Sequence, residues 1–194
     1  MWKRAQVVPI PKFKTPAEFE HYRQISLLFH MGKLAEQVII HKLKSKIAEI
    51  IKPAQYAYRP NVSTTDALLQ YIDDYTTFLD KQKVKFVQSA CLDFSKAFDR
   101  LQPSIVLGKM NFYGFNTNVI EVISSVLRDR TQCVKFSAHL SNVKHVKVGS
   151  PQGAKLGPIL WLIYVNDLQI DGFYSLKYAD DTLISTNQVF LGIK

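Results

Sequence analysis

The sequence is poor in the features that mark secreted and membrane proteins. Its two cysteines, Cys91 and Cys133, give neither a disulfide framework nor the spacing of a zinc site. It has no apolar run of about 18 residues, the length that a transmembrane helix needs. The N-terminus also lacks the apolar core of a secretory signal. We therefore expect an intracellular protein that does not enter a membrane.

The composition is that of a globular protein with an uneven charge. Apolar residues make up 47% of the 194 residues and charged residues 21%, enough for one domain or slightly more. Of the net charge of +9, residues 1–60 carry +7, residues 61–100 carry −1 and residues 101–194 carry +3. A basic first third is typical of a surface that meets a polyanion such as nucleic acid, although charge alone favours ordinary solvated lysines.

Apolar periodicity predicts helices and strands in mixed order, which is typical of the α+β class. The segment 86–93 has little polar alternation, so we expect a strand that is buried on both faces. Residues 159–168 are apolar nearly all round, which predicts a buried helix. Further elements are predicted as a strand at 6–12, helices at 27–50, 95–100 and 118–128, hairpin arms at 132–136 and 144–148, and a strand, tight turn and strand at 176–185. Residues 63–66 are predicted as an N-cap region that begins a helix through 67–78.

Three acidic residues stand where carboxylates are costly. Asp93 ends the strand predicted at 86–93, and Asp180 and Asp181 lie at the predicted turn. Carboxylate oxygens suit Mg²⁺ rather than zinc, and two such ions would clamp the attacking and leaving oxygens of a phosphoryl transfer. Taken singly, an Asp-Asp turn is more often solvated turn chemistry, and Asp93 could be a helix N-cap. The three together favour a metal site.

Several segments resemble the motifs of reverse transcriptases. Leu-Asp-Phe-Ser-Lys-Ala-Phe-Asp-Arg at 92–100 resembles the first catalytic motif, and Tyr-Ala-Asp-Asp at 178–181 resembles the metal-binding turn. The nucleotide-binding loop is matched at 149–158. Segments 8–12, 22–27 and 55–60 match the fingers motifs, and all six follow the family's order. The pattern is similar to that of non-LTR retrotransposons of the jockey-like or LINE-like sort.

The resemblance implies a right-hand polymerase fold, with fingers in residues 1–85 and a ferredoxin-like palm sheet with flanking helices in residues 86–194. A fingers-like β-hairpin insertion is expected near 131–148, and the chain is expected to stop before the thumb. The implied activity is that of an RNA-directed DNA polymerase. Its partners would be an RNA template, a DNA primer and deoxynucleoside triphosphates. A nuclear location would suit an element that copies itself at its target, and the oligomeric state is not indicated.

The resemblance also assigns roles to individual residues. Asp93, Asp180 and Asp181, with the backbone carbonyl of Phe94, would bind two Mg²⁺ ions, for which Mn²⁺ is an alternative. Phe98 would lie under the sugar and exclude a 2′-hydroxyl, although a core aromatic would occur at the same spacing. The remaining nucleotide-binding residues would be Lys12 and Arg23 on the triphosphate, and Gln152 and Gly153 beside the incoming nucleotide.

Two other classes stay open. A catalytically inactive, truncated remnant that at most binds nucleic acid would carry the same motifs. An RNA-dependent RNA polymerase shares the palm, but a bulky residue at Phe98 argues against ribonucleotide use.

Overall fold

The computed structural model describes residues 3–82, 87–151 and 153–186. The chain divides into two compact units. The first contains the segment up to Ile50 together with Lys96–Tyr164, and the second contains Ile51–Ser95 together with the segment from Val165 on. Helices and strands are mixed along the chain, which confirms the predicted α+β class.

The first unit contains a five-stranded sheet. Its strands are β1 (Arg4–Pro11), β2 (Tyr22–Leu27), β4 (Arg130–Phe136), β5 (His139–Leu140) and β6 (Lys144–Val146). β1 pairs antiparallel with β2 and parallel with β4, and β4 pairs antiparallel with both β5 and β6. The hairpin predicted near 131–148 is therefore present, and β4 joins it to the N-terminal strands.

Four helices of the first unit surround one apolar core: α1 (His30–Ile50), α4 (Pro103–Phe112), α5 (Thr117–Leu127) and α6 (Leu156–Val165). A short helix, α3 (Ala97–Arg100), precedes α4. Pro103 occupies the first turn of α4, where a missing N–H costs nothing, and the Asn116 side chain caps α5 by accepting from the Asn118 amide. The core consists of Leu43, Leu101, Val106, Met110, Phe115, Ile123, Leu127, Leu156, Leu160 and Ile163.

The second unit contains a helix and a three-stranded antiparallel sheet. The helix α2 (Thr64–Gln82) begins at a reciprocal cap in which Ser63 and Asp66 each accept from the other's backbone amide, as predicted for 63–66. The strands are β3 (Ser89–Asp93), β7 (Phe173–Tyr178) and β8 (Asp181–Thr186), in the order β3-β8-β7.

The predicted burial of the segment 86–93 is wrong. Val87 is buried, but every residue of β3 is exposed, and among the described residues β3 is an edge strand whose strand partner is β8. Phe86 lies outside the described residues. The opposite holds for α6, which is buried along most of its length, as its sequence predicts. No helix among the described residues is long and apolar enough to cross a membrane.

Candidate active site

The pairing of β3 with β8 brings two of the predicted carboxylates together. Asp93 is the last residue of β3, Asp181 is the first of β8, and the antiparallel register sets them directly opposite each other. Side chains opposite each other in an antiparallel pair lie on the same face of the sheet, with Cβ atoms about 5 Å apart. Like charges in this position are destabilising. The fold therefore places two acids where stability alone would not favour them.

Asp180 belongs to the turn that joins β7 to β8. Tyr178 pairs with Asp181, so Ala179 and Asp180 form a two-residue hairpin loop. Ala179 has φ +59°, in the left-handed region that a two-residue hairpin of this kind requires. The predicted strand-turn-strand is thus confirmed, and the third carboxylate is adjacent to the opposed pair.

The donor set of this acidic cluster suits a hard divalent cation. Mg²⁺ is bound through one or two carboxylates and keeps several water or phosphate oxygens. Asp93 and Asp181 are exposed and Asp180 is half-buried, so the cluster is open to such additional ligands. Within residues 3–82, 87–151 and 153–186, no three His, Cys, Asp or Glu side chains form a closed metal-binding group. The structure therefore brings together the backbone positions of the acids, and not a finished three-carboxylate cage.

Phe98 lies in α3, in the first unit. Its half-buried ring packs against the buried ring of Trp161, with centroids 5.9 Å apart. Its backbone carbonyl accepts a hydrogen bond of 2.7 Å from the Ser150 amide. The predicted gate residue is therefore attached to the start of the predicted nucleotide-binding loop. Phe94, predicted to offer a carbonyl to a metal, is half-buried and lies one residue after β3 in the second unit.

Lys12 and Arg23 lie at the same end of the β1–β2 hairpin. Arg23 pairs with Ile10, and the Lys12 amide donates to the His21 carbonyl, so the pairing continues to Lys12. Because side chains alternate along a strand, Lys12 and Arg23 lie on the same face. Both are exposed. The structure thus brings together the two cations that were predicted to bind a triphosphate.

The loop from Gly149 to Lys155 is anchored at both ends by buried polar side chains. At its start, the Arg130 guanidinium donates to the carbonyls of Val148 and Gly149. At its end, Glu36 of α1 accepts the Lys155 amide at 3.0 Å. Gly153 has φ +100° and is exposed. Gln152 lies outside the described residues, so its predicted role is untested.

Burial shifts the pKa of both anchors. Desolvation raises the pKa of Glu36 above its ordinary value of 4.5, although the amides of Lys155 and Leu156 oppose the shift. Desolvation also lowers the pKa of Arg130. Neither anchor was predicted from the sequence, because each partner is distant in the chain or is a backbone carbonyl without a side-chain signature.

A cavity of about 290 Å³ lies within the first unit. Its walls include Glu36, Arg130, Gly149 and Ser150, the groups that anchor the loop. The individual residues predicted to contact the nucleotide, Lys12, Arg23, Phe94, Phe98 and Gly153, are not among its walls. The cavity is therefore bordered by the start of the loop and does not include the side chains of Lys12 or Arg23.

The family of this chain follows from comparison with known proteins. The family model described as reverse transcriptase (RNA-dependent DNA polymerase) matches residues 10–189. This chain belongs to the reverse transcriptase family. The match begins at the last two residues of β1 and runs through β8, so it includes all the predicted site residues from Lys12 to Asp181.

The chain is also similar to proteins of mobile elements. It is 29% identical to the RNA-directed DNA polymerase from mobile element jockey of Drosophila melanogaster, over 95% of this chain and 21% of that protein. It is 28% identical to the polyprotein of the type-1 retrotransposable element R1 of Bradysia coprophila, over 94% of this chain and 18% of that protein. The chain thus spans about a fifth of the length of these relatives.

Solved structures with the same fold include telomerases. Apo telomerase from Candida tropicalis superposes with a TM-score of 0.68 at 15% identity, over 96% of this chain and 40% of that one. Telomerase from Candida albicans, solved in complex with a fragment of telomeric RNA, gives 0.68 at 14% identity, over 94% and 38%. At this identity the likeness shows the fold, which agrees with the predicted fingers and palm architecture of reverse transcriptases.

The first prediction concerns Gly149, at the start of the predicted nucleotide-binding loop. A Cβ at this position would lie 2.7 Å from the Asp99 carbonyl oxygen, and φ is +80°. We expect Gly149→Ala to lower the free energy of unfolding by roughly 1–3 kcal/mol, measured by urea denaturation. The matched control is Gly108→Ala in α4, where a Cβ meets nothing within 4 Å and should stabilise the helix by about 0.5–1 kcal/mol. If Gly149→Ala and Gly108→Ala changed the free energy of unfolding equally, the close approach of residue 149 to the Asp99 carbonyl would be contradicted.

The second prediction concerns pH. Because the folded pKa of Glu36 is raised, the folded state binds more protons than the unfolded state between pH 4.5 and the raised pKa. This group's contribution to stability therefore falls as pH rises through that window. We expect the Tm difference between Glu36→Gln and the wild type to shift in favour of the variant as pH rises from 4 and then to level off. The other carboxylates are the same in both proteins, so their effects on Tm cancel in the difference. A Tm difference that does not vary with pH would contradict the raised pKa of Glu36.

Proposed function

We propose that this chain is the nucleotide-adding part of an RNA-directed DNA polymerase of a non-LTR retrotransposon. The observation that carries the proposal is the register of β3 and β8, which opposes Asp93 and Asp181 beside the Asp180 turn. Membership of the reverse transcriptase family and similarity to mobile-element polymerases support it. The proposed reaction adds a deoxynucleotide to the 3′ end of a primer, with loss of pyrophosphate.

In the second unit, Asp93, Asp180 and Asp181 would hold two Mg²⁺ ions, with Mn²⁺ as an alternative, and the Phe94 carbonyl would add a ligand. Bound there, the ions would lower the pKa of the attacking hydroxyl and neutralise charge on the leaving pyrophosphate. The carboxylates place their negative charge at one end of the sheet, and this charge would fix where the cations bind. The exposure of Asp93 and Asp181 leaves this end open to substrate.

In the first unit, Lys12 and Arg23 would bind the triphosphate of the incoming nucleotide. Arg23 offers a planar fork of donors and Lys12 a point charge, and both are exposed on one face of the hairpin. Gly153 would allow a close backbone approach, and Gln152 would contact the nucleotide or the template base. Phe98 would meet the sugar with a ring whose orientation is supported by Trp161.

The proposed partners are an RNA template and a DNA primer. The excess of cations in residues 1–60 favours a polyanion, and Lys42 and Lys44 of α1 are exposed. The Candida albicans telomerase, which has the same fold, forms a complex with telomeric RNA, and this supports RNA binding as a use of the fold. We also propose an intracellular location, as the sequence predicts.

The third prediction tests the carboxylates by primer extension on an RNA template with Mg²⁺ and deoxynucleotides. A metal ligand contributes several kcal/mol to the transition state, so we expect Asp180→Ala to reduce extension at least ~100-fold. The control is Asp171→Ala, an exposed acid in the loop before β7, which should extend normally. Extension that survives Asp180→Ala would refute the site. A folded wild-type chain without any extension would favour an inactive remnant.

The fourth prediction tests the gate. Phe98→Ala removes the ring that would clash with a 2′-hydroxyl, so the preference for deoxynucleotides over ribonucleotides should fall roughly 10- to 200-fold. The ratio of kcat/KM for the two nucleotides measures this preference. The control is Phe112→Ala, whose ring is 83% exposed at the end of α4. An unchanged preference in Phe98→Ala would show that the gate lies elsewhere.

A further inference from the structure

The side chain of Gln55 links two distant parts of the second unit. Gln55 is 3% exposed, and its Oε1 accepts the amide of Ala57 at 3.0 Å and the amide of Ala179 at 3.3 Å. Ala179 is the turn residue directly before Asp180. A buried amide thus contacts the turn that carries a predicted metal ligand.

The backbone around Gln55 is also attached to β7. The Tyr56 amide donates to the Lys177 carbonyl at 2.9 Å, and the Lys177 amide donates to the Ala54 carbonyl at 2.7 Å. These bonds form a short parallel bridge between Gln55 and Lys177, two residues before Ala179. Gln55 is therefore held next to the turn by its own backbone, and its side chain has little freedom to leave it.

The orientation of the amide follows from its neighbours. Two backbone N–H groups converge on one atom of the Gln55 side chain, and only the oxygen can accept them. The Nε2 atom is buried, and it has no hydrogen-bond partner among the described residues. A buried donor without a partner is costly, so stability alone does not account for a glutamine here.

The turn itself needs support. Ala179 adopts φ +59°, which is strained for a residue with a Cβ, and such conformations persist only where the surroundings impose them. The Gln55 oxygen accepts the amide of this strained residue. Tyr58, three residues further along, lies close enough to Asp180 for its charge to contribute to the raised pKa of the Tyr58 hydroxyl, after the larger effect of burial. The segment from Gln55 to Tyr58 therefore lies along the turn.

We propose that Gln55 is a positioning residue that holds the Ala179 amide and thereby sets where the Asp180 carboxylate meets a divalent cation. This inference rests on the proposed function, since it concerns the same metal site. Because Gln55 is buried beneath the turn, we assign it no direct contact with ions or substrate. Its effect passes through the backbone of a two-residue turn, in which a displaced Ala179 moves Asp180 directly.

The experiment compares the wild-type chain with Gln55→Met, which keeps the length of the side chain and removes its acceptor. Asn166→Leu is the matched control. Asn166 is also 3% exposed and also accepts a backbone amide, that of Lys52 at 3.0 Å, in the same unit but outside the turn. Both variants should lower the Tm. A difference between them therefore reports on the turn and not on a general loss of stability.

The first readout is hydrogen exchange of the Ala179 amide, followed by NMR below the Tm of all variants. Loss of one hydrogen bond should reduce the protection of this amide roughly tenfold in Gln55→Met. Asn166→Leu should retain wild-type protection. Gln55→Glu, which keeps an acceptor oxygen, should retain most of it. Unchanged protection in Gln55→Met would overturn the contact.

The second readout is Mn²⁺ affinity, titrated by electron paramagnetic resonance with Mn²⁺ alone. Removing a group that orients a metal ligand should weaken binding roughly tenfold or more in Gln55→Met and leave it unchanged in Asn166→Leu. Lost protection with unchanged Mn²⁺ affinity would overturn the positioning role while the site stands. A wild-type chain whose Mn²⁺ binding equals that of Asp180→Ala would instead overturn the proposed site and, with it, the role of Gln55, even if Ala179 remains protected.

Discussion

The opposition of Asp93 and Asp181 across the β3–β8 ladder is the constraint on which the arrangement of acids in the second unit depends. Two like charges on one face of a sheet cost stability, and a one-residue shift in register would move them to opposite faces. Because β3 is an exposed edge strand, the arrangement is maintained by the backbone ladder and by a hydrogen bond of 2.9 Å between the Ser89 and Ser185 hydroxyls across the same pair. The two-residue turn before β8 then leaves Asp180 no position other than beside this pair.

The turn of Ala179 and Asp180 is supported by another part of the second unit. A two-residue hairpin requires a left-handed residue, and here an alanine, not a glycine, occupies that position. The strain is offset by a bond from a segment 124 residues away in the chain, through the buried amide of Gln55. A loop that only connected two strands would not need such support.

In the first unit, the glycine-containing loop from Gly149 to Lys155 is held against a packed core. Helices α1, α4, α5 and α6 supply the core, and the buried side chains of Arg130 and Glu36 bind the two ends of the loop. Gly149 allows the loop to approach the Asp99 carbonyl, and the Ser150 amide connects it to Phe98. The loop and the predicted gate are therefore parts of one hydrogen-bonded structure.

Features that depend on residues close in the chain could be predicted from the sequence. The α2 cap at Ser63 and Asp66, the burial of α6 and the hairpin that presents Asp180 and Asp181 are confirmed, because each rests on local bonds or on one element's own periodicity. The motifs at 92–100, 149–158 and 178–181 indicated the family.

Helix α4 and strand β2 were not predicted, and β3 was wrongly expected to be buried. Burial depends on which strands become neighbours, and that is settled by pairing between segments far apart in the chain. The contacts of Glu36 with Lys155 and of Gln55 with Ala179 join residues more than a hundred positions apart. A glutamine or a glutamate carries no local mark of such a partner, so these contacts become visible only when the chain is folded.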